Sequence, residues 1–405
     1  MTQPRDEDNH RLHALVIGAS TESLHAIGVA RELGFRITAL DGNPDAAGLQ
    51  AADDAIVLDI TSPSRIIEVL SEAPDVVLPV PIGRYLTSTG AVNDHYGLTG
   101  ISASGAAHCT DKYEFHQLMT DAGLRSVICL LIPAGASPET VDVPHPAFPV
   151  VLKPRFGSGS REVVICGSPS ELRAHLDRLL PAGEDLIVEG CAQGTEYGAD
   201  AVVIDGEYRT ILLREKINTP LPHRQAVGYY TVPADHEMQS LTTSVLSQAV
   251  HVLGIENGLL HADLIHQDGR AFVIELSARP SGHHLHDLFT PLATGVDPIR
   301  EFLKLAVPGL GQPSFTPKTD RPMLLRFFDF DGATITGVPD VDDLRGKVEL
   351  VAYEEHCLGR SMGPVTNGPG LMSRGFFALA GKDRDDLDTQ CQYVFSQFTL
   401  ERNNT

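Results

Sequence analysis

The chain has 405 residues, 42% hydrophobic and 21% charged, which suits a soluble protein of two or three domains and excludes a disordered one. Its formal charge of −22 argues against nucleic acid as a partner, since phosphate backbones call for basic patches. No apolar run approaches the ~20 residues of a membrane span, and the polar start MTQPRDEDNHR carries no signal-peptide pattern. The six cysteines are scattered without a CxxC pair, so neither a disulfide framework nor a zinc site is expected, and a reducing cytoplasm fits.

Residues 1–12 read as a disordered tail. Strand and helix then alternate to about residue 125, as in a Rossmann-like parallel sheet. Strands are expected at His13–Ile17, Arg36–Leu40, Ala55–Leu58 and Asp75–Val80, with a helix buried through Leu24, Ile27 and Leu33. The glycine turn at Gly18 lacks GxGxxG, so a scaffold without bound dinucleotide is the preferred reading. Asp111-x-x-Glu114 has capping-box spacing and opens a helix carrying Phe115, Leu118 and Met119, closed by Gly123. A proline-rich connection (Pro133 to Pro149) leads into an α+β unit. There Ser168-Pro169-x-Glu171 caps a helix with Leu172, Leu176 and Leu179. A further helix over 238–253 carries Met238, Leu241, Val245, Ala249 and Val252. The expected units are 13–125, 126–317 with a lid at 147–192, and a small capping lobe at 318–405 with a helix near 383–398.

Four segments carry chemistry. Lys153 ends a strand before the loop Gly157-Ser158-Gly159-Ser160, whose backbone N–H groups can converge on an anion; a plain hairpin tip fits equally well. Glu189 and Glu196 stand seven apart at strand ends, either solvated or holding a ribose or an adenine amino group. Asp263 and Glu275 lie on two apolar runs joined by Gln267-Asp268-Gly269, a hairpin turn that sets two carboxylates face to face, with Arg279 four residues on. Hard oxygens beside a guanidinium suit Mg²⁺ and the phosphates it carries. His283, His284 and His286 invite a transition-metal reading, but a lone short cluster is weak ground for one, and surface histidines or substrate contacts fit better.

In this order (Lys112, Lys153 with its Gly/Ser loop, Glu189 and Glu196, then Asp263, Glu275 and Arg279) the set resembles the ATP-grasp superfamily over roughly residues 13–310. The resemblance implies an ATP-grasp fold, α/β and α+β, with an N-terminal Rossmann-like domain, a central ATP-grasp domain and a C-terminal lobe. It also implies an ATP-dependent carboxylate–amine ligase working through an acyl phosphate. Lys112 and Lys153 would touch the phosphates under a lid at Gly157–Ser160. Gly190 and Ala192 would read the adenine edge beyond Glu189, and Glu196 would bind the ribose. Asp263 and Glu275 would hold Mg²⁺, or Mn²⁺, and Arg279 would meet the transferred phosphoryl group and the later oxyanion. Ser281, Gly282, His283 and His284 would line the acceptor pocket. His223 would help hold the oxyanion, and Lys216 and Arg224 would bind a substrate carboxylate. Many relatives have glutamate at the position of Asp263 and asparagine at that of Ser277. Serine is a poor Mg²⁺ ligand, and a small residue there tilts the reading toward amino-acid ligases. The expected partners are a small carboxylate and an amine, amino acids or related small acids, with a homodimer as the assembly. The alternatives are a purine-pathway ligase or carboxylase and a non-catalytic nucleotide-binding regulator.

Overall fold

The computed structural model describes residues 11–402 except 126, 145–146, 158–160 and 222. The expected N-terminal tail therefore lies outside the described residues as far as residue 10, as do Ser158, Gly159 and Ser160.

The N-terminal unit is a parallel sheet of β1 (His13–Ile17), β2 (Arg36–Asp41), β3 (Asp54–Val57) and β4 (Val76–Val77), in the order β3-β2-β1-β4. Every residue of β1 is buried, as its unbroken apolar run requires of a strand covered on both faces. The strand expected at Asp75–Val80 pairs only over Val76–Val77. Pro79 and Pro81 have no N–H to give a ladder, so the chain leaves the sheet there. The first helix, Leu24–Glu32, buries Ala26, Ile27, Val29 and Ala30, whereas Leu24 is exposed.

A second, antiparallel sheet has the order β5-β8-β6-β7, from β5 (Cys129–Ile132), β6 (Val150–Pro154), β7 (Val164–Cys166) and β8 (Leu186–Gly190). The Ser168-capped helix Pro169–Leu179 covers it with Leu172, Leu176 and Leu179, as the sequence predicts. These side chains join Val150, Leu152 and Val188 in a core of their own, separate from the rest of the molecule. A unit with its own core can move as a body.

The third sheet has eight strands: β9 (Thr195–Ile204), β10 (Glu207–Asn218), β11 (Ala226–Thr231), β12 (Gly258–Gln267), β13 (Arg270–Ser277) and, from the tail, β14 (Met323–Phe327), β16 (Leu350–Glu355) and β18 (Gly375–Ala380). Their order is β13-β12-β9-β10-β11-β14-β18-β16. The region after residue 318 thus extends the central sheet instead of standing apart as a cap. Three further strands, β15 (Ala333–Gly337), β17 (Ser361–Met362) and β19 (Thr399–Arg402), form a small sheet beside it. The helix expected near 383–398 spans Arg384–Ser396.

The helix Glu237–Leu253 buries Met238, Thr242, Leu246, Ala249, Val250 and Leu253, while Leu241, Val245 and Val252 are only partly buried. Its inner face is rotated from the expected stripe because it is packed on two sides, against the central sheet and against the N-terminal helices. One apolar core runs from the N-terminal sheet through this helix to β9, β12 and β13, fixing those parts to each other.

Candidate active site

The hairpin of β12 and β13 sets Asp263 directly opposite Glu275. Its turn, Asp268-Gly269, has φ of 51° and 75°, the positive values a two-residue type I′ loop needs. Asp263 Oδ1 is buried without a hydrogen-bond partner, and no ion pair or hydrogen bond occupies Glu275 among the described residues. Two facing carboxylates with oxygens to spare are a fitting pair for a hard divalent cation. Asp263 Oδ2 meets Lys216 Nζ at 2.6 Å, and His261 Nε2 lies 3.4 Å from Oδ1. Burial raises the Asp263 pKa, but Lys216 and His261 outweigh it and hold the carboxyl at about 2. Ser277 is buried opposite His261.

Two cavities meet at this pair. The first lies between the lid sheet and β12–β13, lined by Lys112, Arg125, Lys153, Gly157, Glu189, Gly190, Ala192 and Glu196 besides Asp263 and Glu275. The second, of about 560 Å³, is lined by Glu22, Lys216, Tyr229, Arg279, Gly282 and His283, again with Asp263 and Glu275. Arg161 borders both.

Lys112 reaches the first cavity because Asp111 caps its helix, accepting from the N–H groups of Tyr113 and Glu114. Asp111 also binds Arg155 at 2.6 Å, which ties this helix to the lid. Lys112 Nζ donates to the carbonyl of Gly157 at 2.7 Å, and burial lowers its pKa. Lys153 Nζ lies 2.7 Å from Glu189 Oε1, and Arg125 Nη2 lies 2.9 Å from Glu189 Oε2. His116 Nε2 also meets Glu189. Burial raises the Glu189 pKa, yet Lys153, His116 and Arg125 together keep it well below the usual carboxylate range. Burial dominates at His116 and holds it near 4, in keeping with a buried Nδ1 that has no partner. Glu189 thus anchors three basic groups and sets the position of Lys153.

Several expected placements change. Gly190 gives its N–H to the carbonyl of Ile128, so an adenine edge could not take that donor without breaking the bond. Glu196 is ion-paired with Arg224 Nε at 2.5 Å, and Arg224 also donates to the carbonyls of Ala192 and Gly194. Arg224, expected to bind a substrate carboxylate, therefore sits on the first cavity and does not line the second. Arg224 has a left-handed backbone, φ 45°. His223 is exposed and lines the first cavity and the neighbouring cleft but not the second cavity, which Arg279 lines. Among the acceptor candidates, Gly282 and His283 line the second cavity, whereas Ser281 and His284 do not. Ser281 is buried, its carbonyl taken by His286, and His284 packs at a tilt of 34° against Phe376 with ring centroids 4.6 Å apart. Consecutive left-handed residues, His283 and His284 at φ 59° and 55°, send the two rings in different directions. No cluster of three or more metal-ligating His, Cys, Asp or Glu side chains occurs among the described residues.

The sequence reading missed Arg125, His116, Arg161 and Glu22. Glu22 follows the glycine turn after β1, weighed only for dinucleotide binding. Its carboxylate accepts the N–H of His283 at 3.0 Å, and a Cβ at residue 282 would collide with it, so glycine there leaves room for Glu22. Close approach also explains Gly194, whose φ is 138° and whose added Cβ would overlap the carbonyl of His266. Gly194→Ala is expected to cost about 2 kcal/mol or more, read as a lower urea midpoint; an unchanged midpoint would refute that contact.

A small antiparallel lid over a larger antiparallel sheet, with lysines and carboxylates between them, defines the ATP-grasp architecture. Residues 146–286 match the ATP-grasp domain, and the chain carries that domain. It is 24% identical over 372 residues to the formate-dependent phosphoribosylglycinamide formyltransferase of Burkholderia vietnamiensis (strain G4 / LMG 22486), covering 86% of this chain and 88% of that one. It is 27% identical over 186 residues to dapdiamide A synthase of Enterobacter agglomerans, covering 42% of each. Three of the curated relatives are spanned for less than half their length, 47%, 42% and 41%. The L-amino acid ligase from Bacillus licheniformis shares the fold, with a TM-score of 0.76 at 17% identity, covering 98% of this chain and 100% of that one.

Proposed function

We propose that the protein is an ATP-dependent carboxylate–amine ligase that joins amino acids or an amino acid and a related small acid. The observation that carries this reading is the pair of cavities meeting at Asp263 and Glu275, one rich in lysine and arginine, the other holding Arg279 and Glu22. In this reading Lys112 and Lys153 bind the ATP phosphates in the first cavity, beside Gly157. Glu196 lies near the ribose, reached by exchange with Arg224. The γ-phosphoryl group passes to the substrate carboxylate, giving an acyl phosphate. An amine then attacks that carbonyl and phosphate leaves. Mg²⁺ held by Asp263 and Glu275 would neutralise phosphate charge. Arg279 stabilises the oxyanion, and the lid excludes water that would otherwise hydrolyse the acyl phosphate. Glu22 offers the acceptor cavity a carboxylate suited to an ammonium group.

Similarity to dapdiamide A synthase and to the L-amino acid ligase supports the amino-acid reading. The nearly full-length match to the formyltransferase supports the purine-type alternative. So does the cleft of about 1150 Å³ beside the site, which carries Arg84, Arg161 and Arg178 and could seat a sugar phosphate. Phosphate release from Mg·ATP should depend on two amino acids together. Release that instead needs formate or bicarbonate with a ribosyl-phosphate amine would replace the first reading by the second. All six cysteines are free and no helix among the described residues is long and apolar enough to cross a membrane, which supports action in the cytoplasm. A homodimer is the assembly we propose, supported by the biotin carboxylase domain from Hydrogenobacter thermophilus, which shares the fold and is a dimer.

A further inference from the structure

Lys216 reaches Asp263 by an unusual route. The lysine is on β10 and the aspartate on β12, with β9 between them. Gly198 of β9 is in register with Asp263 on one side and Arg214 on the other. A Cβ at Gly198 would stand 3.3 Å from Arg214 Nη2, a tight approach, and 3.5 Å from Lys216 Cε, an ordinary contact, so both cations pass directly over the bare backbone of the middle strand. Arg214 stops at Asp200, 2.9 Å away, in a bond that Thr290 Oγ1 completes on the other oxygen at 2.6 Å. Lys216 goes further, to Asp263 at 2.6 Å, with its side chain only 9% exposed.

The ammonium therefore sits on the carboxylate that also faces the nucleotide cavity, while the lysine itself lines the second cavity beside Tyr229, Arg279 and His283. A divalent cation bound by Asp263 and Glu275 would stand about 2.1 Å from the carboxylate oxygens. At that range its repulsion of an ammonium on the same carboxylate is strong. Lys216 has a buried stem and cannot withdraw far, and the space open to its head is the second cavity.

We propose that Lys216 is an exchangeable counter-cation: the metal takes Asp263 from it, and the released ammonium binds the substrate's carboxylate in the second cavity. Loading of one cavity thereby prepares the other. This rests on the ligase reading of the site. Before the nucleotide arrives, the same ion pair gives the half-buried Asp263 a counter-charge.

The test titrates Mn²⁺ into the full chain at saturating ADP, following free Mn²⁺ by electron paramagnetic resonance. Lys216→Met should bind Mn²⁺ about tenfold more tightly than the wild type, since the competitor is gone, a coupling of ordinary size. In the phosphate-release assay the same variant should raise the KM for the carboxylate substrate about tenfold. Unchanged or weaker Mn²⁺ binding, or an unchanged KM, overturns the exchange. Because the variant leaves Asp263 without its lysine, the wild type provides an independent reading. Reductive methylation of Lys216 by formaldehyde and borohydride, measured on the peptide by mass spectrometry, should speed up about fivefold with Mn²⁺·ADP. An equal or slower rate also overturns the proposal. Failure of the wild type to bind Mn²⁺·ADP at all overturns the ATP-site reading itself, a distinct result.

Discussion

Glu275→Gln should lower the rate of phosphate release by about 10³-fold, as expected when a group holding a catalytic metal is lost. The same variant should unfold within about 0.5 kcal/mol of the wild type, the range of changes away from structural contacts. Both halves follow from the surroundings of Glu275. Its carboxylate faces Asp263 across the hairpin and borders both cavities, yet it supports no ion pair or hydrogen bond among the described residues. Asp263→Asn provides the contrast. It loses activity too, but also breaks the bond to Lys216, so its stability should fall as well. Phosphate release and urea unfolding, measured on both variants, separate these effects. Turnover of Glu275→Gln within tenfold of the wild type would sink the assignment of the metal pair.

The largest effect on stability is expected at Glu189. Its carboxylate is buried among Lys153, Arg125 and His116, and Glu189→Gln would leave Lys153 and Arg125 without a counter-charge and neutral His116 without its carboxylate acceptor. Breaking a buried pair from one side costs about 3–5 kcal/mol. Urea unfolding at pH 7 reads this directly, and a loss below about 1 kcal/mol would show that the cluster is solvated or redundant. The cluster also sets an acid limit. The His116 pKa falls from 6.5 to about 4 on folding, so between those values the unfolded chain binds the extra proton. Stability should therefore be intact above pH 6.5 and decline by about 3 kcal/mol as pH falls toward 4. Glu189, whose carboxyl is held below its ordinary range, keeps its contribution until the pH is lower still. His116→Gln should flatten the slope between pH 6.5 and 4. An unaltered slope in that variant would assign the acid sensitivity elsewhere.

Much of the site was legible because its parts are local. Asp263, Glu275 and Arg279 belong to one hairpin whose turn residues and alternation are written within a few positions of each other. The caps at Asp111 and Ser168 were similarly readable, as each satisfies N–H groups two or three residues away. The buried stripe of the helix Glu237–Leu253 was read less well, because its packing on two sides depends on partners far along the chain.

By itself, then, the sequence determined the alternation that makes the N-terminal parallel sheet, the hairpin with its facing carboxylates, and the order of basic and acidic groups along the chain. These depend on period, turn chemistry and caps, which act over a few residues. Only the tertiary structure decided which cavity each group serves. Arg224 went to Glu196, His284 to Phe376 and Lys216 across Gly198 to Asp263, while Glu22 came to the second cavity from the other end of the chain. Each of these is a contact between strands or loops distant in sequence, set by register, by left-handed backbone and by the space that a glycine leaves. Such contacts have no local signature, because neither partner's neighbours specify the other.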